Sequence, residues 1–381
     1  MKLPLRDGIA DSALAFRGYN ITNLGRTREL LVVPAYAGVL HEELTRFSDI
    51  CSEYSKTRVD LAALVEAHTE PPLDRYGESV ALIVAVEMAH LRLLKEIFNV
   101  DYHAAKLTYG YSLGEMVAVC VGGAFKIEEL IRVPLAMAAD CADLARDVEM
   151  GIVFSRAGVL PEAEVRRLCV ETTAEGRGTV GASSLLSPNT ILVIGQGYSV
   201  DRFKEKLVAA LPEVHLRIND HRWPPLHTPI VRQRHVPDRA AMLIERLQQG
   251  PMPLRPPVVS LVTGKRSYEA HTARELLRQW IDHPQRLWDA VCDTLASDVK
   301  TVLHIGPEPN LIPATFARLK ENIEQQINGK NLEGYRMKAI SGMMRRPWLA
   351  SLLPARAALM RAPFVEHVIV EDWLLTNAPG K

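Results

Sequence analysis

Residues 110–114 read Gly-Tyr-Ser-Leu-Gly, and the runs around them restrict the fold more than the pentapeptide does. Ala104–Tyr109 has the texture of a short strand, and Glu115–Val121 that of a helix. A Gly-x-Ser-x-Gly placed between strand and helix predicts a nucleophile elbow, a sharp turn that lifts the serine hydroxyl out of the sheet. The glycines allow close backbone packing, and the serine sits at a helix N-terminus whose free N–H groups can hold an oxyanion. Ser112 is therefore the candidate nucleophile, the plainer alternative being an ordinary tight turn.

The rest of the chain suits such an enzyme. Its 381 residues suggest two domains or one large domain with an insertion. At 48% hydrophobic and 24% charged, it can bury a sizeable core. Forty-five basic residues balance 45 acidic ones, which argues against nucleic acid as a main partner. The cysteines (Cys51, Cys120, Cys141, Cys169, Cys292) are scattered and lack metal-ligand spacing, so they read as reduced thiols. Met1–Asp7 has no signal-like apolar core, and no stretch is long and apolar enough to span a membrane. A cytoplasmic protein without a metal site or bound cofactor is expected.

Helical periodicity runs from Leu40 to about Val65 and from Ser79 to Phe98, and helices follow the elbow to about Ala145. Gly151–Phe154, Thr190–Gly195 and Val214–Ile218 read as strands, with helices over Pro161–Val170 and Val200–Leu211 between them. This predicts a small α+β insertion. The main domain resumes near Asn219, with further strands at Pro257–Val262 and Thr301–Ile305.

A serine nucleophile needs a base, because its hydroxyl is protonated at neutral pH. Of 12 histidines, His227 lies in Pro224-Pro225-Leu226-His227-Thr228-Pro229, a rigid setting able to fix an imidazole at the rim of the sheet. The pattern alone leaves a packing or surface histidine open. His221, His235 and His304 read as structural or surface residues.

In order and spacing these features resemble the malonyl-CoA:acyl carrier protein transacylases and the acyltransferase domains of polyketide and fatty-acid synthases. The family's Gly-His-Ser-Leu-Gly-Glu is matched by Gly110–Glu115, and its catalytic His-Ser/Thr-Pro by His227-Thr228-Pro229. Its Asn-Ser-Pro strand entry is matched by Leu186-Ser187-Pro188, and Val-Thr-Gly by Val262-Thr263-Gly264. Gln279 with Pro284–Trp288 resembles a Gln followed by Pro-Val-Arg-Trp, and His304–Glu308 resembles Glu-x-Gly-Pro-Gly. The similarity runs from about residue 12 to about 320.

The resemblance implies an α/β fold: an α/β-hydrolase-like core with a parallel sheet and nucleophile elbow, plus a small ferredoxin-like α+β subdomain. The implied divisions are a discontinuous catalytic part, 1–146 and 219–320, a small subdomain, 147–218, and a C-terminal extension, 321–381. It further implies ping-pong acyl transfer by a monomer. Ser112 attacks the thioester of an acyl-CoA or acyl carrier protein with His227 as base, and the acyl group passes to a phosphopantetheine thiol. The oxyanion donors would be the Leu113 and Tyr19 N–H groups, Tyr19 standing where the family has Gln in Phe-Pro-Gly-Gln-Gly. A backbone carbonyl near Gln285 or Arg286 would orient His227.

The departures concern the acyl pocket. Members selective for malonyl groups carry an Arg about 25 residues after the nucleophile that forks onto the free carboxylate; here that position is Met137. Arg132 and Ser155–Arg156 are the alternative sources of a cation. Tyr111 replaces the family His beside the serine, and Leu226 replaces the usual aromatic beside the base. These residues suit an uncharged acyl chain. An editing hydrolase, with water as acceptor, shares the chemistry up to the acyl-serine, and a non-catalytic carrier-binding scaffold is the alternative of another class. Glu115 is expected to pair or cap within its helix, and Arg17 and Arg26 to be solvated or to meet coenzyme phosphates.

From Arg336 to Val365 the basic residues Arg336, Lys338, Arg345, Arg346, Arg356 and Arg361 meet no acidic residue and alternate with apolar ones. This segment reads as a packed helix with a solvated basic face, or as a docking surface for an acidic carrier or a membrane.

Overall fold

The strands, in chain order, are β1 (Ser12–Phe16), β2 (Leu107–Gly110), β3 (Val148–Ser155), β4 (Val180–Ser187), β5 (Thr190–Gln196), β6 (Val214–Asn219), β7 (Thr301–Ile305) and β8 (Glu366–Ile369). The helices used below are α1 (Pro34–Ser52), α2 (Tyr76–Glu96), α3 (Leu113–Val121), α4 (Arg132–Ala145), α5 (Glu162–Ala174), α6 (Ser199–Ala210), α7 (Ala273–Asp282), α8 (Leu287–Ala296), α9 (Leu311–Asn328) and α10 (Val370–Thr376). The computed structural model describes residues 5–156, 158–328 and 355–380.

Two sheets divide the molecule. The first has the order β2-β1-β7-β8 and is parallel throughout. Its central strands are buried on both faces, which is the burial a parallel sheet requires. Leu14, Phe16, Leu303 and Ile305 pack toward α2 and α3, whereas Ala13, Ala15, Tyr109 and Val302 pack toward α8 and α9. The second sheet, β4-β5-β3-β6, is antiparallel, and α5 and α6 cover one of its faces. The order β-α-β-β-α-β with this strand arrangement is ferredoxin-like.

Several elements differ from the sequence expectation. β1 is Ser-Ala-Leu-Ala-Phe and β4 begins Val-Gly-Ala-Ser-Ser, so small residues of low strand propensity hid both. The stretch expected as a strand at Pro257–Val262 instead touches β2 through two backbone bonds, Thr108 N–H to Pro257 O at 2.8 Å and Val259 N–H to Thr108 O at 2.9 Å. The helix expected from Leu40 to Val65 is α1 followed by a break and a short helix, Leu61–Glu66, whose N-cap Asp60 accepts from Ala63 N–H.

The described part of the C-terminal segment is built into the core. β8 extends the parallel sheet beside β7. Glu371 of α10 accepts from the backbone N–H of Arg26 and of Glu308, both at 2.9 Å, and Tyr36 O–H donates to Leu374 O. Arg361 is buried and donates to Leu295 O and to Asp298, and Met360 joins the core, so neither belongs to a solvated basic face. Arg336, Lys338, Arg345 and Arg346 lie outside the described residues. No helix among the described residues is long and apolar enough to cross a membrane.

The elbow depends on its glycines. A Cβ on Gly110 would fall 2.0 Å from the Gly114 carbonyl carbon, and one on Gly114 would fall 2.4 Å from Phe16 O. Both obstacles are backbone and cannot swing aside. Gly110→Ala should lower the unfolding free energy by about 3 kcal/mol or more. Gly38→Ala, on the open face of α1 where no atom lies within 4 Å, should raise it by about 0.5–1 kcal/mol. Denaturant titration of the two variants checks this contrast.

Candidate active site

β2 ends at Gly110 and α3 begins at Leu113, so the chain must reverse within Tyr111 and Ser112. Ser112 does so at φ 53°, ψ −117°, a conformation that costs a non-glycine residue about 1–3 kcal/mol. Two side chains hold it there. Its N–H donates to Gln285 Oε1 at 3.1 Å, and its carbonyl accepts from Trp280 Nε1 at 2.9 Å.

Ser112 Oγ lies 2.7 Å from His227 Nε2. The other ring nitrogen, Nδ1, is 2.6 Å from the backbone carbonyl of Trp280. A carbonyl can only accept, so Nδ1 carries the proton and Nε2 offers its lone pair to the serine hydroxyl. Burial lowers the imidazole pKa to about 4, with the Trp280 carbonyl and Asp282 opposing the shift. His227 is thus neutral at physiological pH, with Nε2 able to accept a proton.

The orienting carbonyl is Trp280's, not one near Gln285 or Arg286, and helix termination explains why. Within α7 the Trp280 carbonyl would accept from the residue four further on, which is Pro284 and has no N–H. The Ile281 carbonyl is orphaned too, because Gln285 N–H goes to Ser183 O, and it accepts His227 N–H at 2.8 Å. The negative end of α7 therefore faces the imidazole, which favours a positive charge on the ring. Gln285 contributes its side chain to Ser112, while its carbonyl accepts from Leu185 N–H and Ser184 O–H, joining the small sheet to the elbow. Arg286 pairs with Asp289 and Glu162 away from the imidazole. Trp280 was missed in the sequence, although a proline four residues after an apolar helical position was the signal for a free carbonyl.

Leu113 N–H is the first of α3 and has no hydrogen-bond partner among the described residues, nor has Tyr19 N–H. Gly18 brings the Tyr19 backbone close, since a Cβ on Gly18 would meet Tyr111 O at 2.5 Å and Ser112 Cβ at 3.2 Å. Both residues thus carry free N–H groups, and Tyr19 lines the same cavity as Ser112.

Ser112 and His227 open into a cavity of about 380 Å³ between the two sheets. Met150, Ile152, Leu192 and Ile194 of the small sheet form one wall, with Leu226, Trp223, Tyr111 and the start of α9 around it. Met137 does not line it. It is buried one layer back, around a void of about 10 Å³ behind Leu226 and Tyr76. The helical register that carries position 137 toward the site stops at that wall.

The proposed substitute cations are elsewhere or occupied. Arg132 pairs with Glu53 on the outer surface, and Arg156 lines a different groove. Arg17 is buried rather than solvated, and Arg26 pairs with Glu29 and Asp372. Glu115 neither caps nor pairs within its helix. It is buried beneath the elbow, where Oε1 accepts from Ser260 O–H, Tyr268 O–H and Leu261 N–H, and burial raises its pKa to about 7. His304 is buried in the cavity floor and stacks on His367, whereas His221 and His235 are exposed.

No protein-family model and no curated protein matches the chain. Solved structures match it with high probability. FabD from Acinetobacter baumannii aligns at TM-score 0.64 and 17% identity, over 80% of this chain and 89% of that one. The malonyl-CoA:acyl carrier protein transacylase of Xanthomonas oryzae aligns at 0.62 and 19%, over 80% and 90%. A malonyl-transacylase solved in complex with its type II polyketide acyl carrier protein aligns at 0.60 and 23%, over 80% and 91%. The chain has the fold of the malonyl-CoA:acyl carrier protein transacylases.

Proposed function

We propose that the protein is a serine acyltransferase that carries an uncharged acyl group from a thioester, through acyl-Ser112, to the phosphopantetheine thiol of an acyl carrier protein. The 2.7 Å contact between Ser112 Oγ and His227 Nε2, at a strained elbow facing an apolar cavity, carries this reading. Ser112 Oγ attacks the thioester carbonyl as His227 Nε2 takes its proton. The negative oxygen that forms is placed against the Leu113 and Tyr19 N–H groups. Collapse breaks the C–S bond, and the imidazolium returns its proton to the departing thiolate. The incoming thiol then gives its proton to Nε2 and attacks the ester carbonyl; the C–O bond to Ser112 breaks, and the imidazolium returns the proton to Ser112 Oγ. The malonyl-transacylase neighbour bound to its carrier protein supports a carrier as acceptor.

Charge argues for a neutral acyl group. Among the described residues the cavity is lined by two arginines. Arg17 spends its guanidinium on backbone carbonyls and on Asn23 Oδ1, and Arg318 is exposed on α9. A free carboxylate beside Ser112 that does not reach Arg318 would be buried without a partner, at a cost of several kcal/mol.

Intact-mass spectrometry after exposure to malonyl-, acetyl- and butyryl-CoA tests the proposal. A neutral acyl adduct should form on wild type, be absent from Ser112→Ala and move to a carrier thiol. A stable malonyl adduct would refute the neutral-acyl assignment, consumption of thioester without carrier loading would make water the acceptor, and acylation of Ser112→Ala would refute the nucleophile. The pH profile provides a separate check. His227 stays neutral below its ordinary pKa of about 6.5, so kcat/KM should hold as pH falls and decline only near the lowered value of about 4. A decline centred at 6.5 would contradict the buried environment of the imidazole.

A further inference from the structure

Arg17 occupies an unusual place for a cation. It is only 4% exposed, yet no carboxylate pairs with it at hydrogen-bond distance among the described residues. Its donors go to oxygen atoms of the loops beside the nucleophile. Nε donates to Gly18 O at 2.8 Å, and Nη2 to Thr22 O at 3.1 Å and to Asn23 Oδ1 at 2.9 Å. Nη1 donates to Pro307 O. Asn23 continues the staple, its side chain accepting from Asn20 N–H and donating to Asn20 O. The Pro307 side is fixed in turn, because the next residue, Glu308, gives its N–H to Glu371 of α10.

The bond to Gly18 O has a specific consequence. The Gly18 carbonyl and the Tyr19 N–H are two ends of one planar peptide unit and point in opposite directions. Holding the carbonyl on Arg17 therefore sets the direction of the N–H. Gly18, Tyr19 and Ser112 all line the catalytic cavity, and the Tyr19 N–H has no partner among the described residues. A cation on the carbonyl also polarises the peptide and makes its N–H a stronger donor.

We propose that Arg17 is a positioning residue of the oxyanion hole, gripping the Gly18 carbonyl so that the Tyr19 N–H is aimed and polarised toward the oxygen that becomes negative during acyl transfer. This rests on the acyl-Ser112 reading above. The arrangement needs a planar fork with several donors, which lysine lacks. It also needs space on its flank. Gly306 supplies it at φ 107°, where a Cβ would meet Arg17 Cγ at 2.7 Å and Glu87 Cγ at 3.0 Å. Glu87 is buried there, its carboxyl pushed well up by burial while the Arg17 charge opposes the shift. Arg17 keeps its proton at neutral pH, since burial lowers its pKa only to about 10.

Two probes separate this role from simple packing. Butylboronic acid adds to a serine and presents a negative tetrahedral oxygen, whereas S-butyl coenzyme A fills the same cavity with no carbonyl at all. Both are measured on full-length wild type, Ser112→Ala, Arg17→Lys and Arg17→Gln, with folding checked by circular dichroism. Complete loss of one oxyanion donor costs about 100- to 1000-fold in kcat, so misaiming one should cost about 10- to 100-fold. Boronate affinity and kcat should fall by that factor in both Arg17 variants, while S-butyl coenzyme A affinity and KM stay within about twofold. Unchanged boronate affinity in folded variants, or an equal loss for both probes, would overturn the proposal. If wild type binds boronate no better than Ser112→Ala, the acyl-serine reading itself fails and the assignment of Arg17 falls with it. Should Arg17→Gln not fold, Gly306→Ala, which crowds the Arg17 stem and keeps its charge, supplies the same comparison.

Discussion

The end of α7 holds the site together. Trp280 binds Ser112 and His227 at once, its indole N–H on the Ser112 carbonyl and its own carbonyl on His227 Nδ1. Its ring also meets the imidazole edge-on, with centroids 5.0 Å apart. Neither Ser112 nor His227 sits in a relaxed conformation, since Ser112 has φ 53° and His227 φ 64°. Such backbone persists only where its surroundings over-determine it. Here Trp280, Gln285 and Ile281 do so, and all three stand on one stretch that ends a helix at a proline.

The same economy shapes the cavity. Buried polar groups must find partners, and three buried charges around the site have found them within the protein. Arg17 is committed to loop carbonyls, Glu115 to Ser260, Leu261 and Tyr268, and Glu371 to two N–H groups. Among the described residues the other cation on the cavity lining is Arg318, exposed on α9. The wall that β3 and β5 of the small sheet supply is apolar.

How much could be read from the chain depended on how local each signal was. Ser112 and its elbow were legible because Gly-x-Ser-x-Gly is a short contiguous pattern, although only Gly110 answers to a nearby backbone atom while Gly114 answers to Phe16 on β1. His227 was legible through its proline-flanked setting. Its orienting partner was not, because a carbonyl carries no sequence letter and only the coincidence of helix end and Pro284 reveals it. Met137 was assigned to the pocket by counting residues, but the depth of a helical position depends on what packs in front of it, here Leu226 and Tyr76. Arg17 resembled a surface arginine in sequence, and its burial depends on contacts with Pro307, far along the chain. β8 pairs with a strand more than 60 residues earlier, a contact that no local pattern encodes.

The account turns on Ser112 being a nucleophile made reactive by a neutral His227. The most direct measurement is the rate at which a fluorophosphonate labels the protein, with the adduct located by peptide mapping, on wild type and His227→Gln. Labelling should fall on Ser112 alone, and general-base catalysis of this kind implies a slowing of about 100- to 10,000-fold in the variant. An adduct on another residue, or equal rates for the two proteins, would contradict it.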